Sequence, residues 1–290
     1  NYFSAPVIVV GNITVGGTGK TPVVIALARF LKEKGWRPGI VSRGYGGKIK
    51  HFPYQVHQNS NAREVGDEPL LIVRHTDCPT VIDPNRSRGV RALLKRAHCN
   101  LVISDDGLQH SSLGRNIEII VVDGERRFGN NFCLPAGPLR EPTSRLNSVD
   151  FVISKEDPLR HEFKLSLIPD HFYQLIQPKI KKTLDYFHGK TLHAVAGIGN
   201  PDQFFNSLRK LNLKIIEHPF PDHYLFKPHD FSYGSDAIII MTEKDAVKCV
   251  GFVDARLWCL NTKTELDTNL LNTVLKRVTT LNNNLKSSSG

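Results

Sequence analysis

Apolar and polar positions alternate along the first part of the chain in the manner of successive strands and helices. The runs at 100–107 and 117–124 are short and continuously apolar, which is typical of strands buried on both faces of a parallel sheet. The first helical segment carries a proline in its opening turn and ends at Gly35. The pattern predicts strands at 6–11, 37–44, 78–83, 100–107, 117–124 and 150–155, and helices at 21–35, 67–76 and 87–98. This order predicts a doubly wound α/β domain with a mostly parallel sheet.

The alternation loosens through residues 172–189 and then resumes. It predicts strands at 191–199, 236–245 and 256–261, helices at 201–212 and 265–281, and an Asn/Ser-rich tail that we expect to fray. We therefore place a domain boundary near residue 160. Residues 1–160, the first half, are expected to form the core domain, and residues 161–290, the second half, a smaller α/β domain.

The composition is that of a globular protein in a reducing compartment. A length of 290 residues suggests about two domains, and a hydrophobic content of 40% excludes disorder. The odd number of cysteines and the lack of a C-x-x-C pair argue against a disulfide framework or a zinc ribbon. The five cysteines are Cys78, Cys99, Cys133, Cys249 and Cys259.

The net charge of +10 favours an anionic partner, which leaves nucleic acid, a phosphorylated substrate and an acidic membrane as possibilities. The basic residues are dispersed, no run resembles a basic arm, and the aromatic residues do not form a stacking platform. We therefore expect no nucleic-acid partner. A solvated basic surface without a specific partner is the simpler alternative.

No window of the sequence approaches the ~20 apolar residues that a membrane-spanning helix needs. The first predicted strand starts near Pro6, which leaves no room for a signal peptide. The sequence is thus expected to form a body without a membrane span.

A glycine-rich loop joins the first strand to the first helix. Its sequence TVGGTGKT matches the P-loop pattern G-x-x-x-x-G-K-[ST], except that Thr14 takes the first glycine position. Backbone N–H groups of such a loop turn inward on an anion, and the following helix adds its positive end. Lys20 supplies a charge toward the β- and γ-phosphates, and Thr21 a hydroxyl for Mg²⁺. The predicted nucleotide-binding residues are Thr14, Val15, Gly16, Gly17, Thr18, Gly19, Lys20 and Thr21.

The alternative interpretation of this loop is a plain glycine-rich turn. The flanking strand and helix and the three glycines favour the phosphate loop instead. The first half is therefore expected to be a P-loop nucleotide-binding core.

A magnesium carboxylate is expected at the end of a neighbouring apolar strand. Asp105 and Asp106 follow the run at 100–104 directly, although an Asp-Gly turn would also place an aspartate there. Because adjacent strand residues face opposite sides, both can bind the metal only if the strand ends before Asp106.

Two classes of P-loop protein remain open on these residues: a small-molecule kinase and an ATPase that switches a binding protein. A regulatory GTPase would carry N-K-x-D, and the nearest string, TEKD at 242–245, lacks the intervening residue. A kinase needs a base near the acceptor hydroxyl and cations around an anionic acceptor. Loops that offer such groups are SRGYGG, VGDEPLLI, DPNRSRG, LPAGPLREP and FPDHY.

The chain resembles the tetraacyldisaccharide 4'-kinase family, which acts in the lipid A pathway of Gram-negative bacteria. The motifs that carry the resemblance lie in order between Val9 and Lys248, and Thr14 is also typical of the family. They are GNITVGGTGKTP, SRGYGG, GDEP, DDGLQH, LPAGPLRE and FPDHY followed by TEKDAVK.

The resemblance implies that ATP and Mg²⁺ phosphorylate the 4'-hydroxyl of a lipid-linked glucosamine disaccharide 1-phosphate, giving lipid IVA. It implies a second domain that closes over the nucleotide, and no obligate protein partner. It also implies that the enzyme acts at the cytoplasmic face of the inner membrane, on an anionic lipid surface. Family members begin with a hydrophobic N-terminal helix, which this sequence lacks.

The resemblance assigns roles to particular residues. Asp67 matches the family's catalytic base, although its position before Glu68 and Pro69 also suits a helix cap. His223 matches the base's partner, with a surface-loop histidine as the alternative and a zinc site with His218 and His229 a weaker one.

Three further matches lie in the phosphate region. Arg86 and Arg140 match arginines near the phosphates, and Glu141 is expected to adjust Mg²⁺ or its water ligands. Ordinary surface ion pairs are the alternative for all three. Gln109 and His110 are weaker candidates for the metal or substrate, and Ser42, Arg43 and Tyr45 for the acceptor side.

Overall fold

A single sheet of 13 strands runs through the structure, a computed structural model that describes residues 3–287. The strands are β1 (Val7–Gly11), β2 (Pro38–Ser42), β3 (Tyr54–Val56), β4 (Thr80–Ile82), β5 (Leu101–Asp105), β6 (Ile117–Asp123), β7 (Phe151–Lys155), β8 (Phe163–Gln174), β9 (Lys181–Lys182), β10 (Thr191–Ala196), β11 (Lys214–Pro219), β12 (Ile238–Thr242) and β13 (Leu257–Leu266). Their order is β11-β10-β12-β13-β8-β7-β6-β1-β5-β2-β4-β3, with β9 paired to β8.

Helices cover both faces of this sheet. They are α1 (Lys20–Glu33), α2 (Ala62–Val65), α3 (Asp67–Thr76), α4 (Arg86–Arg96), α5 (Pro201–Lys210), α6 (Glu243–Ala246) and α7 (Thr268–Ser287). Short 3-10 turns lie at Thr143–Ser148, Pro228–Phe231 and Val247–Cys249. Within residues 3–287, no helix is both long and apolar enough to cross a membrane.

The central strands are parallel, which brings their carboxyl ends to one edge. Strand β1 pairs in parallel with β5 and β6, and Val10 lies opposite Asp105. The glycine-rich loop after β1 and the carboxylates after β5 therefore meet at the edge where ligands bind in open α/β sheets. The predicted α/β fold with a mostly parallel sheet is confirmed.

Strands β3, β8, β9 and β11 were not predicted, because none of them is a continuous apolar run. Strand β8 is mostly half-buried and holds Pro169, which lies opposite Thr262 of the antiparallel partner β13, where the register shifts between Asn261 and Thr262. Strand β11 lies at the edge of the sheet and has no buried residue, so its sequence carries no continuous apolar run.

Several predicted boundaries were also wrong. Residues 243–245 belong to α6 rather than to a strand, because the Thr242 hydroxyl caps a helix there by accepting from the Asp245 N–H at 3.1 Å. Strand β13 continues to Leu266 before α7 begins. Helix α7 continues through the asparagines to Ser287, and the rest of the tail, 288–290, lies outside the described residues.

The last helix belongs to the core of the first half. Leu270, Val274 and Val278 of α7 are fully buried in the same apolar cluster as residues of β1 and α1. Helix α4 covers the opposite face of these strands, and a phenylalanine-rich cluster fills the second half. Because the sheet continues from β7 to β8, the boundary near residue 160 stays a prediction.

Leu270→Ala is expected to lower the free energy of unfolding by about 2–5 kcal/mol, since it removes buried methyl groups and leaves a cavity. Urea denaturation followed by circular dichroism measures the change. Asn272→Ala, at an exposed position of the same helix, is the matched control and should stay within about 0.5 kcal/mol of wild type. Equal effects of the two substitutions would contradict the docking of α7.

Candidate active site

The glycine-rich loop is shaped by two left-handed residues and by a neighbouring segment. Gly16 and Gly19 have φ of 90° and 96°, where a side chain would be strained, and Gly19 caps α1. Thr14 instead forms a β-bridge with Leu139, and the N–H of Val15 donates to the carbonyl of Pro138 at 2.8 Å. An extended bridge suits a β-branched residue, which accounts for threonine in the first glycine position.

Cations gather around Asp106 beside this loop. Its carboxylate lies 3.5 Å from Lys20 Nζ and 3.1 Å from a guanidinium nitrogen of Arg140. Arg86 is 3% exposed, donates to the carbonyls of Asp83 and Asp106, and leaves its Nε without a partner among the described residues. Burial opposes the charge on Asp106, but Lys20 and Arg140 outweigh burial and lower the pKa of its carboxyl.

Asp105 is the other carboxylate at this edge. It is 1% exposed, its Oδ2 accepts from the Ser42 hydroxyl at 3.2 Å, and its Oδ1 has no partner among the described residues. Burial, together with Glu68 and Asp106, raises the pKa of this carboxyl. Strand β5 ends at Asp105, and Asp106 has φ of 50°, so the condition for both side chains to serve one metal is met.

These residues fit a magnesium ion. Within residues 3–287, no three His, Cys, Asp or Glu side chains are grouped to hold a metal. Magnesium in nucleotide sites takes one or two carboxylates together with phosphate oxygens and water, so a larger acidic group is not required. The unpartnered oxygen of Asp105 and the hydroxyl of the buried Thr21 at the start of α1 could supply such ligands.

Glu141 stands slightly apart from these carboxylates. It accepts from Gln109 Nε2 at 2.7 Å and pairs with Arg145 at 3.2 Å. The same Gln109 nitrogen donates to the Asn12 carbonyl at 3.0 Å, which ties Glu141 to the base of the glycine-rich loop. His110 lies 3.1 Å from the Ser112 hydroxyl.

Asp67 and His223 are brought together from opposite halves of the chain. Asp67 opens α3, is 4% exposed, and its two carboxylate oxygens lie 3.1 and 3.0 Å from His223 Nδ1. Its Oδ1 also accepts from the N–H of Glu68 at 2.8 Å, but Gly66 is the cap residue of α3 and no side chain among the described residues caps this helix, so the alternative of a helix cap at Asp67 was wrong. His218 and His229 lie elsewhere, with His193 and Asp230 as their partners.

The contact changes the proton affinity of both groups. The hydrogen bond with Asp67 raises the pKa of His223, although burial opposes it. Burial of Asp67 alone would raise the pKa of its carboxyl, but His223 and Lys244 lower it below its usual range. The contact therefore favours the charged forms of both groups, an imidazolium beside a carboxylate.

Further contacts between the halves surround this pair. A methyl group on Gly199 would lie 3.2 Å from the backbone nitrogen of Gly17, so the loop after β10 directly adjoins the phosphate loop. Lys244 Nζ lies 3.1 Å from Glu68 and 3.4 Å from Asp222. The sequence pattern assigned no role in the site to Gly199, Asp222 or Lys244, although the motif TEKDAVK contains Lys244.

Comparisons with known proteins show the family of this chain. The chain matches the family described as Tetraacyldisaccharide-1-P 4'-kinase over residues 1–280. The chain belongs to this family. The resemblance drawn from the motifs is confirmed, and with it the assignment of the chain as a kinase rather than a nucleotide-driven switch.

Individual relatives with about 50% sequence identity to this chain support the family membership. A tetraacyldisaccharide 4'-kinase of Coxiella burnetii (strain RSA 331 / Henzerling II) is 51% identical over 259 residues, 89% of this chain and 76% of the relative. That of Methylobacillus flagellatus is 49% identical over 280 residues, 96% and 83% of the two chains. The crystal structure of LpxK from Aquifex aeolicus in complex with ATP superposes with a TM-score of 0.78 at 28% identity, covering 95% of this chain and 89% of that one.

The imidazole of His223 should titrate above its ordinary pKa of 6.5, because Asp67 stabilises the charged ring. The stabilisation that this charge gives the fold is fully present below pH 6.5 and is lost as the pH rises through the raised value. Histidine NMR titration measures the pKa. In Asp67→Asn it should fall to or below 6.5, since burial then dominates; an unchanged pKa would show that the two groups do not interact.

Proposed function

We propose that this chain transfers the γ-phosphate of ATP to the 4'-hydroxyl of a tetraacyl glucosamine disaccharide 1-phosphate, giving lipid IVA. Its family membership supports the reaction, and one observation carries the assignment of its base: the buried carboxylate of Asp67 is held by His223. A methyl group on Gly199 would lie 3.1 Å from Asp222, the residue before His223, and 3.2 Å from Gly17 of the phosphate loop. The acceptor oxygen forms the new bond to the γ-phosphorus, and the bond to the β–γ bridging oxygen breaks with ADP taking its electrons. The hydroxyl proton passes to Asp67.

The cations around the loop are proposed to stabilise the transferring group. Lys20 lies at the start of α1 and faces the β- and γ-phosphates, where a point charge suits a group that spreads charge over its oxygens. Arg140 and the buried Arg86 supply guanidinium nitrogens on the Asp106 side of the loop. Thr21, Asp105 and Asp106 would hold Mg²⁺, with Glu141 positioned through Gln109 toward its water ligands. When bound, the ion neutralises phosphate charge.

The acceptor is proposed to enter beside Tyr45. A cavity of about 280 Å³ lies under the SRGYGG loop and combines the guanidinium of Arg43 with the apolar side chains of Ile49 and Phe52. The ring of Tyr45 lies 5.2 Å from that of His223, which connects the cavity to the proposed base. A cation beside apolar walls fits the head of an amphipathic, phosphorylated sugar.

Closure of the second half over the nucleotide is proposed to limit the loss of phosphate to water. The second half contributes His223 and the Gly199 loop, which meets the phosphate loop at Gly17. The base and its partner would then come together only when both halves meet, so an open site would lack its complete base.

Transfer of label from γ-labelled ATP to the disaccharide 1-phosphate lipid in mixed micelles tests the reaction. Asp67→Asn should lower phosphate transfer by about 10²–10⁴-fold, because it removes the proton acceptor. Lys20→Ala should abolish transfer. Asp77→Asn, at the other end of α3, is the matched control and should transfer at the wild-type rate. Free phosphate without labelled lipid from the wild type would contradict the proposal.

We further propose that the kinase works on the anionic lipid surface at the cytoplasmic face of the inner membrane. A charge of +10 supports this, at about 1 kcal/mol per well-placed Lys or Arg. Rising salt should weaken binding to anionic vesicles in sedimentation assays while barely changing ATP affinity, because the nucleotide contacts are local and partly buried. Equal salt sensitivity of both would count against a charged membrane face.

A further inference from the structure

The segment Thr242–Lys248, the TEKDAVK turn, contacts α3 near both ends. Lys244 Nζ lies 3.1 Å from Glu68 in the first turn of α3, and Glu243 Oε1 lies 3.1 Å from His75 Nε2 in the last turn. The segment belongs to the second half and α3 to the first. The helix that starts with Asp67 is therefore fixed to the second half at two points.

Lys244 has a second partner, which places it between the two members of the dyad. Its Nζ lies 3.4 Å from Asp222, the residue before His223. One ammonium thus joins the residue after Asp67 to the residue before His223. The side chain of Lys244 is 20% exposed, so solvent screens these contacts only in part.

The turn that carries Lys244 is itself rigidly held. Asp245 and Lys248 form a buried ion pair at 2.6 Å. Both residues also bind the backbone of Gly197. The N–H of Gly197 donates to Asp245 at 3.1 Å, and the carbonyl of Gly197 accepts from Lys248 at 3.1 Å. A buried ion pair of this kind fixes geometry more than it adds stability. Lys244 therefore stands on a fixed support.

The charges that face Asp67 show what the bridge does for the base. Burial opposes its ionisation, while His223, Lys244 and Lys248 lower its pKa. Glu68, Asp67 and Asp222 in turn raise the pKa of Lys244, against the effect of its burial. Among these groups, Lys244 is the cation in contact with neighbours of both dyad members.

We infer that Lys244 is a positioning residue for phosphoryl transfer: by binding Glu68 and Asp222 at one ammonium, it sets the approach of Asp67 to His223. The inference rests on the proposed role of Asp67 as the base. It does not require Lys244 to touch the nucleotide or the acceptor.

Lys244→Met tests the inference in the full chain. It should lower kcat by about 10- to 100-fold with little change in the KM for ATP, since misplacing a base slows the transfer step rather than nucleotide binding. The acidic limb of the pH profile of kcat should move to higher pH, because Asp67 loses both a nearby charge and a fixed partner. Lys244→Arg keeps the positive charge and a side chain of similar length. It should return the acidic limb of the pH profile to its wild-type position and restore much of kcat.

Two comparisons separate positioning from general damage. Glu243→Gln removes the contact at the far end of α3 and serves as the matched control, with the acidic limb expected in its wild-type position. Glu68→Gln keeps the lysine but removes its partner on α3, so kcat should fall without an upward shift of the limb. If Lys244→Met does not fold, Lys244→Arg and Glu68→Gln carry the same test.

The titration of Asp67 can be measured without the acceptor lipid, and so independently of the proposed reaction. The carboxyl of Asp67, followed by ¹³C NMR and assigned with Asp67→Asn, should titrate at higher pH in Lys244→Met than in wild type. A wild-type enzyme that transfers no phosphate would overturn the proposed function and leave this measurement valid. An unchanged titration of Asp67, or a pH profile of Lys244→Met that matches wild type, would overturn the role of Lys244.

Discussion

The contact between Asp67 and His223 joins residues 156 positions apart and is the interaction on which the rest of the site depends. A carboxylate that is 4% exposed is unfavourable unless it is paired and hydrogen-bonded, and the imidazole of His223 meets that requirement. Since the partner comes from the second half, the proposed base would be complete only while the halves are in contact. The bridge at Lys244 and the close approach of Gly199 to Gly17 are further contacts between the halves.

A second electrostatic balance governs the phosphate loop. Lys20 and Arg140 both contact Asp106, so the loop presents cations that are already partly neutralised by an acidic side chain of its own. Asp105, one residue earlier, is more deeply buried and retains an oxygen without a partner among the described residues. Adjacent aspartates thus have different surroundings: Asp106 is paired with the cations of the loop, and Asp105 is buried with one oxygen free for a ligand.

Features built from residues close in sequence could be predicted, whereas contacts between residues far apart in sequence required the structure. The phosphate loop and the carboxylates after β5 could be predicted because a strand, a loop and a helix in succession position them with few long-range contacts. The dyad came only through the family resemblance, since no spacing rule relates Asp67 to His223. Strand β8 was missed because half-buried strands lack a continuous apolar run, and the docking of Leu270 into the first core depends on tertiary packing.

A double-mutant cycle on kcat for Asp67→Asn and His223→Asn tests the central claim most directly, because it measures whether the two side chains act as one unit. The account predicts strong non-additivity: once Asp67 is replaced, replacing His223 as well should lower kcat little further. Losses that simply add, with the double variant slower by the product of the two single effects, would contradict the claim that His223 acts through Asp67.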